Sequence, residues 1–257
     1  MNFLLINDDG IDAEGIKALC RALSKKGRVF VFAPEKQQSG KSLSLTLRQD
    51  LTGERVKFDN AELAYSISGT PADCTKIGLT VLKDKKIEVD VVFAGINMGA
   101  NLGLDTLYSG TIGAAREASL NGYHAVAVSV SSHHASEFGY ACKIATSVLD
   151  YIKEIPTGII LSVNTPNLPE KEIKGLKFSS LGDRYYTTGF EISGEDRLTI
   201  KEVFTGLNND NPMGDVKANE GGFATITPLR NDGTDLGWLK RIKKANMLGD
   251  KTYVTKN

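Results

Sequence analysis

MNFLLINDDGID, residues 1–12, drives an apolar run straight into two adjacent aspartates and a glycine. Phe3, Leu4, Leu5 and Ile6 form the uninterrupted apolar stretch of a strand buried on both faces, which is what a helix-covered parallel sheet requires. Asn7, Asp8, Asp9 and Gly10 then break the strand with residues that favour turns. A polar turn capping the next helix accounts for them locally. Two neighbouring carboxylates repel each other, however, so the pattern also asks for solvent or a cation to relieve them.

Working outward, strand and helix signals alternate to about residue 165. Ile16, Leu19, Cys20 and Leu23 repeat at helical spacing, with Gly27 as the stop. RVFVFA (28–33), VDVVFAGI (89–96), HAVAVSV (124–130) and GIILSVNTP (158–166) read as further strands. A helix is expected from Thr111 to Asn121, and another carries Ala141, Ile144, Ala145, Val148, Leu149 and Ile152 on one face. SGTPADC (68–74) reads as a helix start, with Thr70 as cap, Pro71 first in the helix and Asp73 closing a capping box. Residues 43–67 alternate polar and apolar side chains, including a strand-like LSLTLRQ, and suggest a hairpin insertion. After residue 166 the helical period fades: FEISG and LTIKEV suggest a hairpin, GGFATITPL (221–229) a strand, and DLGWLKRIKKANML (235–248) a terminal helix.

The expected fold is therefore α/β, a Rossmann-like, mostly parallel sheet flanked by helices, with β-hairpin insertions and a C-terminal β-rich and helical extension. The boundaries expected are a core at 1–166 and an elaboration at 167–257.

Charge narrows the function classes. With 31 basic and 31 acidic side chains in 257 residues, the chain lacks the basic balance of a nucleic-acid-polymer binder. No apolar run approaches the roughly 20 residues needed to cross a bilayer, so no membrane partner is expected. No signal-peptide pattern opens the chain, and cytoplasm is the expected location. Cys20, Cys74 and Cys142 are odd in number and widely spaced, as reduced, buried thiols are.

Ligands of open parallel sheets bind beyond the carboxyl ends of the strands. Three polar stretches follow strands here: NDDG, APEKQQSGKS and INMGANLGLDTLYSGT. The second ends like a P-loop, but position 35 is Glu where that motif needs glycine, and no helical pattern follows. The third carries Gly95, Gly99, Gly103 and Gly110 and ends where a helix begins. Its Ser109–Gly110–Thr111 amides suit a phosphate at a helix N-terminus. An N-cap role for Ser109 is the simpler alternative. Asp8, Asp9, Ser39 and Asn97 offer an all-oxygen ligand set, suited to Mg²⁺, Mn²⁺ or Ca²⁺ rather than structural zinc. His133 and His134 lie in a Ser-rich stretch without metal-ligand spacing and read as a solvated turn at the crevice edge.

Taken together, LLINDDGIDAEGI (4–16), VFAPEKQQSGKSLSLT (31–46), SGTPADC (68–74) and GINMGANLGLDTLYSGTIGAAREA (95–118) resemble the SurE family of survival proteins. SVNTPNLP (162–169) and GGFATITPL add weaker echoes, and 182–212 matches only loosely. The resemblance implies a metal-dependent nucleotidase, also described as an acid phosphatase. It would act on nucleoside 5′- and 3′-monophosphates, and on short polyphosphate. It implies one divalent cation per subunit, Mg²⁺ or Mn²⁺, on Asp8, Asp9, Ser39 and Asn97, with Asp8, Asp9 and Asn97 catalytic. It puts phosphate on Asn101, Ser109, Gly110 and Thr111. It also implies a homodimer or homotetramer formed through the C-terminal elaboration.

On that reading one aspartate, Asp9 before Asp8, is the candidate to take a proton from water. Two other classes are weighed: a nucleotide- or metal-binding regulator without turnover, and a nicotinamide-dependent oxidoreductase. The latter lacks GxGxxG after the first strand, where NDDGID stands.

Overall fold

The structure is a computed structural model and describes residues 1–182, 185–194, 197–208 and 214–245. Its first half runs β1 (Asn2–Ile6), α1 (Glu14–Leu23), β2 (Arg28–Pro34), β3 (Gly53–Arg55), β4 (Leu63–Ile67), α2 (Pro71–Asp84), β5 (Val91–Met98) and α3 (Gly110–Leu120). It continues β6 (His124–Val130), α4 (Gly139–Ser147), β7 (Ile159–Thr165), β8 (Leu176–Phe178), β9 (Tyr185–Ser193), β10 (Thr199–Asn208), α5 (Asp215–Glu220), β11 (Ala224–Arg230) and α6 (Leu236–Ala245).

Among the described residues, nine strands form one sheet in the order β3-β4-β2-β1-β5-β6-β7-β11-β8. The neighbours from β4 to β7 pair in parallel, while β3 and β11 join antiparallel. This is the α/β architecture expected, and it follows from the apolar runs. Phe3 to Ile6 are fully buried because β1 has a strand on each side and helices above and below. Phe3, Leu5, Val31 and Phe93 pack under α1 and α4, with the Phe3 and Phe93 rings edge to face at 5.8 Å. Leu4, Ile6, Phe30 and Phe32 pack under α2 and α3. Burying one such side chain stabilises the fold by about 1.5–3 kcal/mol.

Helix starts follow their caps. Thr70 and Asp73 make the reciprocal capping box of α2, with Pro71 in its first turn. The Ser109 hydroxyl accepts the Ile112 N–H at 3.1 Å and so caps α3. Gly15 lets α1 lie directly on the end of β5, since a Cβ there would stand 2.0 Å from the Ile96 carbonyl oxygen.

Chain order turns back between β1 and β5: β2 and β4 lie to one side of β1, β5 to β7 to the other. Such a switch point opens a crevice where loops leave in opposite directions. NDDG follows β1, the 35–43 loop follows β2, and the long loop follows β5.

Three expectations need correcting. LSLTLRQ is not a strand: its stretch is irregular, and the hairpin of this region is the short β3 paired with β4. α4 ends at Ser147, and the apolar face continues through two 3-10 turns, Val148–Asp150 and Ile152–Glu154. The third strand starts later and runs further, through Met98. The hairpin of FEISG with LTIKEV is present as β9 and β10, paired antiparallel outside the main sheet. Residues 246–248 of the expected terminal helix lie outside the described residues.

Cys20 and Cys74 are buried and Cys142 half-buried, all free. Burial pushes the Cys20 thiol up to about 12 and that of Cys142 to about 11, so neither forms a reactive thiolate near neutral pH. No helix among the described residues is long and apolar enough to cross a membrane.

Candidate active site

β1 ends by delivering Asp8 to the floor of the crevice, where it is 3% exposed. Thr111, in the first turn of α3, donates its hydroxyl to Asp8 Oδ1. Gly110 lies against the same carboxylate: a Cβ there would stand 2.9 Å from Asp8 Oδ2 and 3.2 Å from the Gln38 carbonyl oxygen. The Gln38 N–H donates to the Asp8 carbonyl at 2.7 Å, which stitches the loop after β2 to the loop after β1. Three separated stretches thus meet on one residue.

Asp9 points the other way along the crevice. Its Oδ2 accepts the Met98 N–H at 2.9 Å, while its Oδ1 is buried with no hydrogen-bond partner among the described residues. Burial raises both carboxyls above the usual range, Asp8 to about 7, with the neighbouring Asp9 charge adding to the Asp8 shift.

Asn97 lies near the end of β5, next to the Met98 that binds Asp9. Its Nδ2 donates to the Gly99 carbonyl at 2.8 Å, which leaves the amide oxygen as its group for a cation. Ser39 follows Gln38 on the exposed loop and accepts a hydrogen bond from Gln37 at 3.1 Å. The donor set is two carboxylates, one amide and one hydroxyl. Among the described residues no group of three or more His, Cys, Asp or Glu side chains could hold a metal. A cation here would therefore rest partly on neutral oxygen, as hard ions accept. An orphaned buried Asp9 oxygen in an all-oxygen crevice fits such an ion.

Of the phosphate candidates, Ser109, Gly110 and Thr111 sit together at the start of α3, beside Asp8. Asn101 is buried on the other wall. Its Nδ2 donates to Ser129 Oγ at 2.8 Å, and its own N–H donates to Asn164 Oδ1 at 2.8 Å.

Sequence reasoning passed over two residues that the fold brings in. Asn164 and Asp215 both bind the backbone of the long loop; Asp215 accepts the Gly103 N–H at 3.2 Å and the Gly182 N–H at 2.8 Å. Nothing local in sequence marks them, since Asp215 is 112 residues from Gly103. His133 lies in the exposed turn expected at the crevice edge, against Gly99, where a Cβ would stand 3.1 Å from its ring.

Residues 3–188 match the family model described as "Survival protein SurE". The chain belongs to the SurE family. A SurE relative from Moorella thermoacetica, named 5′-nucleotidase SurE, is 38% identical over 94% of this chain and 95% of its own length. One of the same name from Clostridium beijerinckii is 37% identical over 95% of this chain and 98% of its own. The crystal structure of the SurE protein from Aquifex aeolicus superposes with a TM-score of 0.82 at 33% identity, covering 96% of this chain and 100% of that one. The SurE fold thus extends well past the matched 3–188 stretch.

Proposed function

We propose that this chain is a divalent-cation-dependent 5′-nucleotidase that hydrolyses nucleoside 5′-monophosphates, and 3′-monophosphates and short polyphosphate as well. The observation that carries the reading is the adjacent Asp8 and Asp9 at the switch point of the sheet, with Asp8 buried and bonded to the first turn of α3 and Asp9 bonded to the end of β5. The 5′-nucleotidase names of relatives aligned over nearly the whole chain support it.

Asp8, Asp9, Ser39 and Asn97 would hold one Mg²⁺ or Mn²⁺ per subunit. When bound, such a cation polarises a phosphoryl oxygen and lowers the pKa of a water. The remaining work falls to the chain. The N-terminus of α3 and its dipole would face the equatorial oxygens, where charge sits in the loose transition state of phosphoryl transfer. Ser109 accepts from Ile112, so its hydroxyl hydrogen is available to donate. Thr111 has one hydroxyl hydrogen and gives it to Asp8, and its N–H bonds the same carboxylate; its part is to orient that group. Asn101 supplies an amide hydrogen from the opposite wall. Asp9 Oδ1, buried without a hydrogen-bond partner among the described residues, would take a water proton in place of ligating the cation.

The elaboration at 167–257 would make a homodimer or homotetramer. Phe190, Ile192, Leu198 and Ile200 form an exposed apolar face on the β9–β10 hairpin, and a second copy would cover it. The experiment is inorganic phosphate release from nucleoside 5′- and 3′-monophosphates, in EDTA and then with Mg²⁺ or Mn²⁺ restored, for wild type beside Asp9→Asn. Cation-dependent release lost in Asp9→Asn is expected. Release of nothing by folded wild type under any cation overturns the reading and leaves a nucleotide-binding regulator.

A further inference from the structure

Asn164, next to last in β7, is fully buried and grips one residue of the long loop at two points. Its Oδ1 accepts the Asn101 N–H at 2.8 Å, and its Nδ2 donates to the Asn101 carbonyl at 3.1 Å. A carboxamide that takes both backbone groups of one residue imitates a β-bridge, here across 63 residues of sequence. The pattern also fixes the amide's orientation, because an N–H only donates and a carbonyl only accepts. Among the described residues the Asn164 side chain makes one further hydrogen bond, a weaker one at 3.3 Å to Ser162. Its polar capacity is thus directed at the loop rather than at the sheet.

The grip has a consequence at the Asn101 side chain. Asn101 Nδ2 gives one hydrogen to Ser129 Oγ at 2.8 Å and keeps a second. With the backbone clamped by Asn164 and the amide braced by Ser129, the direction of that second hydrogen is set before any substrate arrives. Pre-organised donors act on an anion without the ordering cost a mobile one carries.

We infer that Asn164 is a positioning residue for phosphate binding, acting through Asn101; the inference rests on the proposal that Asn101 meets the substrate phosphate. A leucine of similar volume would serve the core equally well and would leave two buried backbone groups of the loop without partners.

The test compares wild type, Asn164→Ala, Asn101→Ala and the double variant. The measurements are KM and kcat for adenosine 5′-monophosphate, the inhibition constant of inorganic phosphate, and Mn²⁺ affinity by calorimetry. Asn164→Ala is expected to raise KM and the phosphate inhibition constant about tenfold or more, the scale of one or two lost hydrogen bonds. Mn²⁺ affinity stays within about twofold, since Asn164 touches none of the proposed ligands, and the double variant is no worse than Asn101→Ala alone. Unchanged KM and inhibition constant in Asn164→Ala, with Asn101→Ala impaired, overturn this inference alone. An unimpaired Asn101→Ala overturns the underlying reading of Asn101. Equal losses of Mn²⁺ and phosphate affinity make Asn164 a general structural residue and also overturn the inference. If Asn164→Ala does not fold, Asn164→Ser carries the same comparison, because a hydroxyl cannot span both backbone groups.

Discussion

Thr111 and Asp8 stand 103 residues apart in sequence and share a hydrogen bond in which the threonine hydroxyl is the donor. Helix α3 is thereby locked onto the end of β1 at the point where the two aspartates begin. Thr111→Val keeps shape and backbone but removes the donor. It is expected to lower kcat/KM by about ten- to a hundredfold, the range of a lost hydrogen bond to a charged group. Asp8→Asn and Asp9→Asn should cost at least about a thousandfold, as losing charged groups that act in the transition state does. Steady-state kinetics on the three variants check this, and a Thr111→Val enzyme as impaired as Asp8→Asn would contradict the assigned roles.

The Asp8 carboxyl is pushed from the ordinary 3.8 up to about 7 by burial, and its aspartate neighbour reinforces the shift. Between those values the native cation-free protein holds a proton that the unfolded chain has released. Its stability therefore falls as pH rises through that window. A cation must displace the same proton, so its affinity rises with pH over the same range. Melting temperatures in EDTA at pH 5, 6, 7 and 8, beside Mn²⁺ titrations at each pH, should show opposite slopes. Parallel slopes would contradict the burial account.

Gly113 faces the 35–43 loop so closely that a Cβ would stand 1.9 Å from the Ser42 carbonyl oxygen. By helix propensity alone, Gly113→Ala should stabilise α3 by about 1 kcal/mol. The contact predicts the reverse: the loop bearing Ser39 is driven outward, and cation affinity falls while helical content is kept. Calorimetry with circular dichroism decides between the two.

Asp215 holds the Gly103 and Gly182 N–H groups and is 1% exposed. Asp215→Ala leaves both donors buried, at an expected loss of about 2–4 kcal/mol. A shifted urea midpoint at an unchanged m-value measures it.

Much of this was readable because β1, β2 and β6 are each a short apolar run ended by turn residues or Pro. Such runs leave few arrangements open. Residues 43–49 misled because alternation there does not report a pleated surface. Thr46 gives its N–H and hydroxyl to Asp73, the Ser42 N–H goes to Tyr108, and Ser42 and Arg48 adopt positive φ. The backbone groups that a strand would offer a neighbour are thus engaged by other loops. α4 misled in the opposite way, since Val148 and Ile152 stay buried after the helix tightens into 3-10 turns, so the apolar spacing outlasts the α-helix. In the site, Asp8, Asp9 and Ser109–Thr111 follow strands or open a helix and advertise themselves. Asn164 and Asp215 bind backbone far along the chain, which no local pattern records.

Hydrogen bonds join residues 8, 9, 38, 98 and 111 on one side of the crevice, and 101, 129 and 164 beyond it. No contiguous fragment contains that set, and each pairing closes a long loop before it yields a contact. Helices can form locally and early; the crevice exists only once β1 has both β2 and β5 beside it. During refolding from urea, ellipticity should therefore recover ahead of catalysis, making enzymatic turnover the sharpest clock for the last step of assembly.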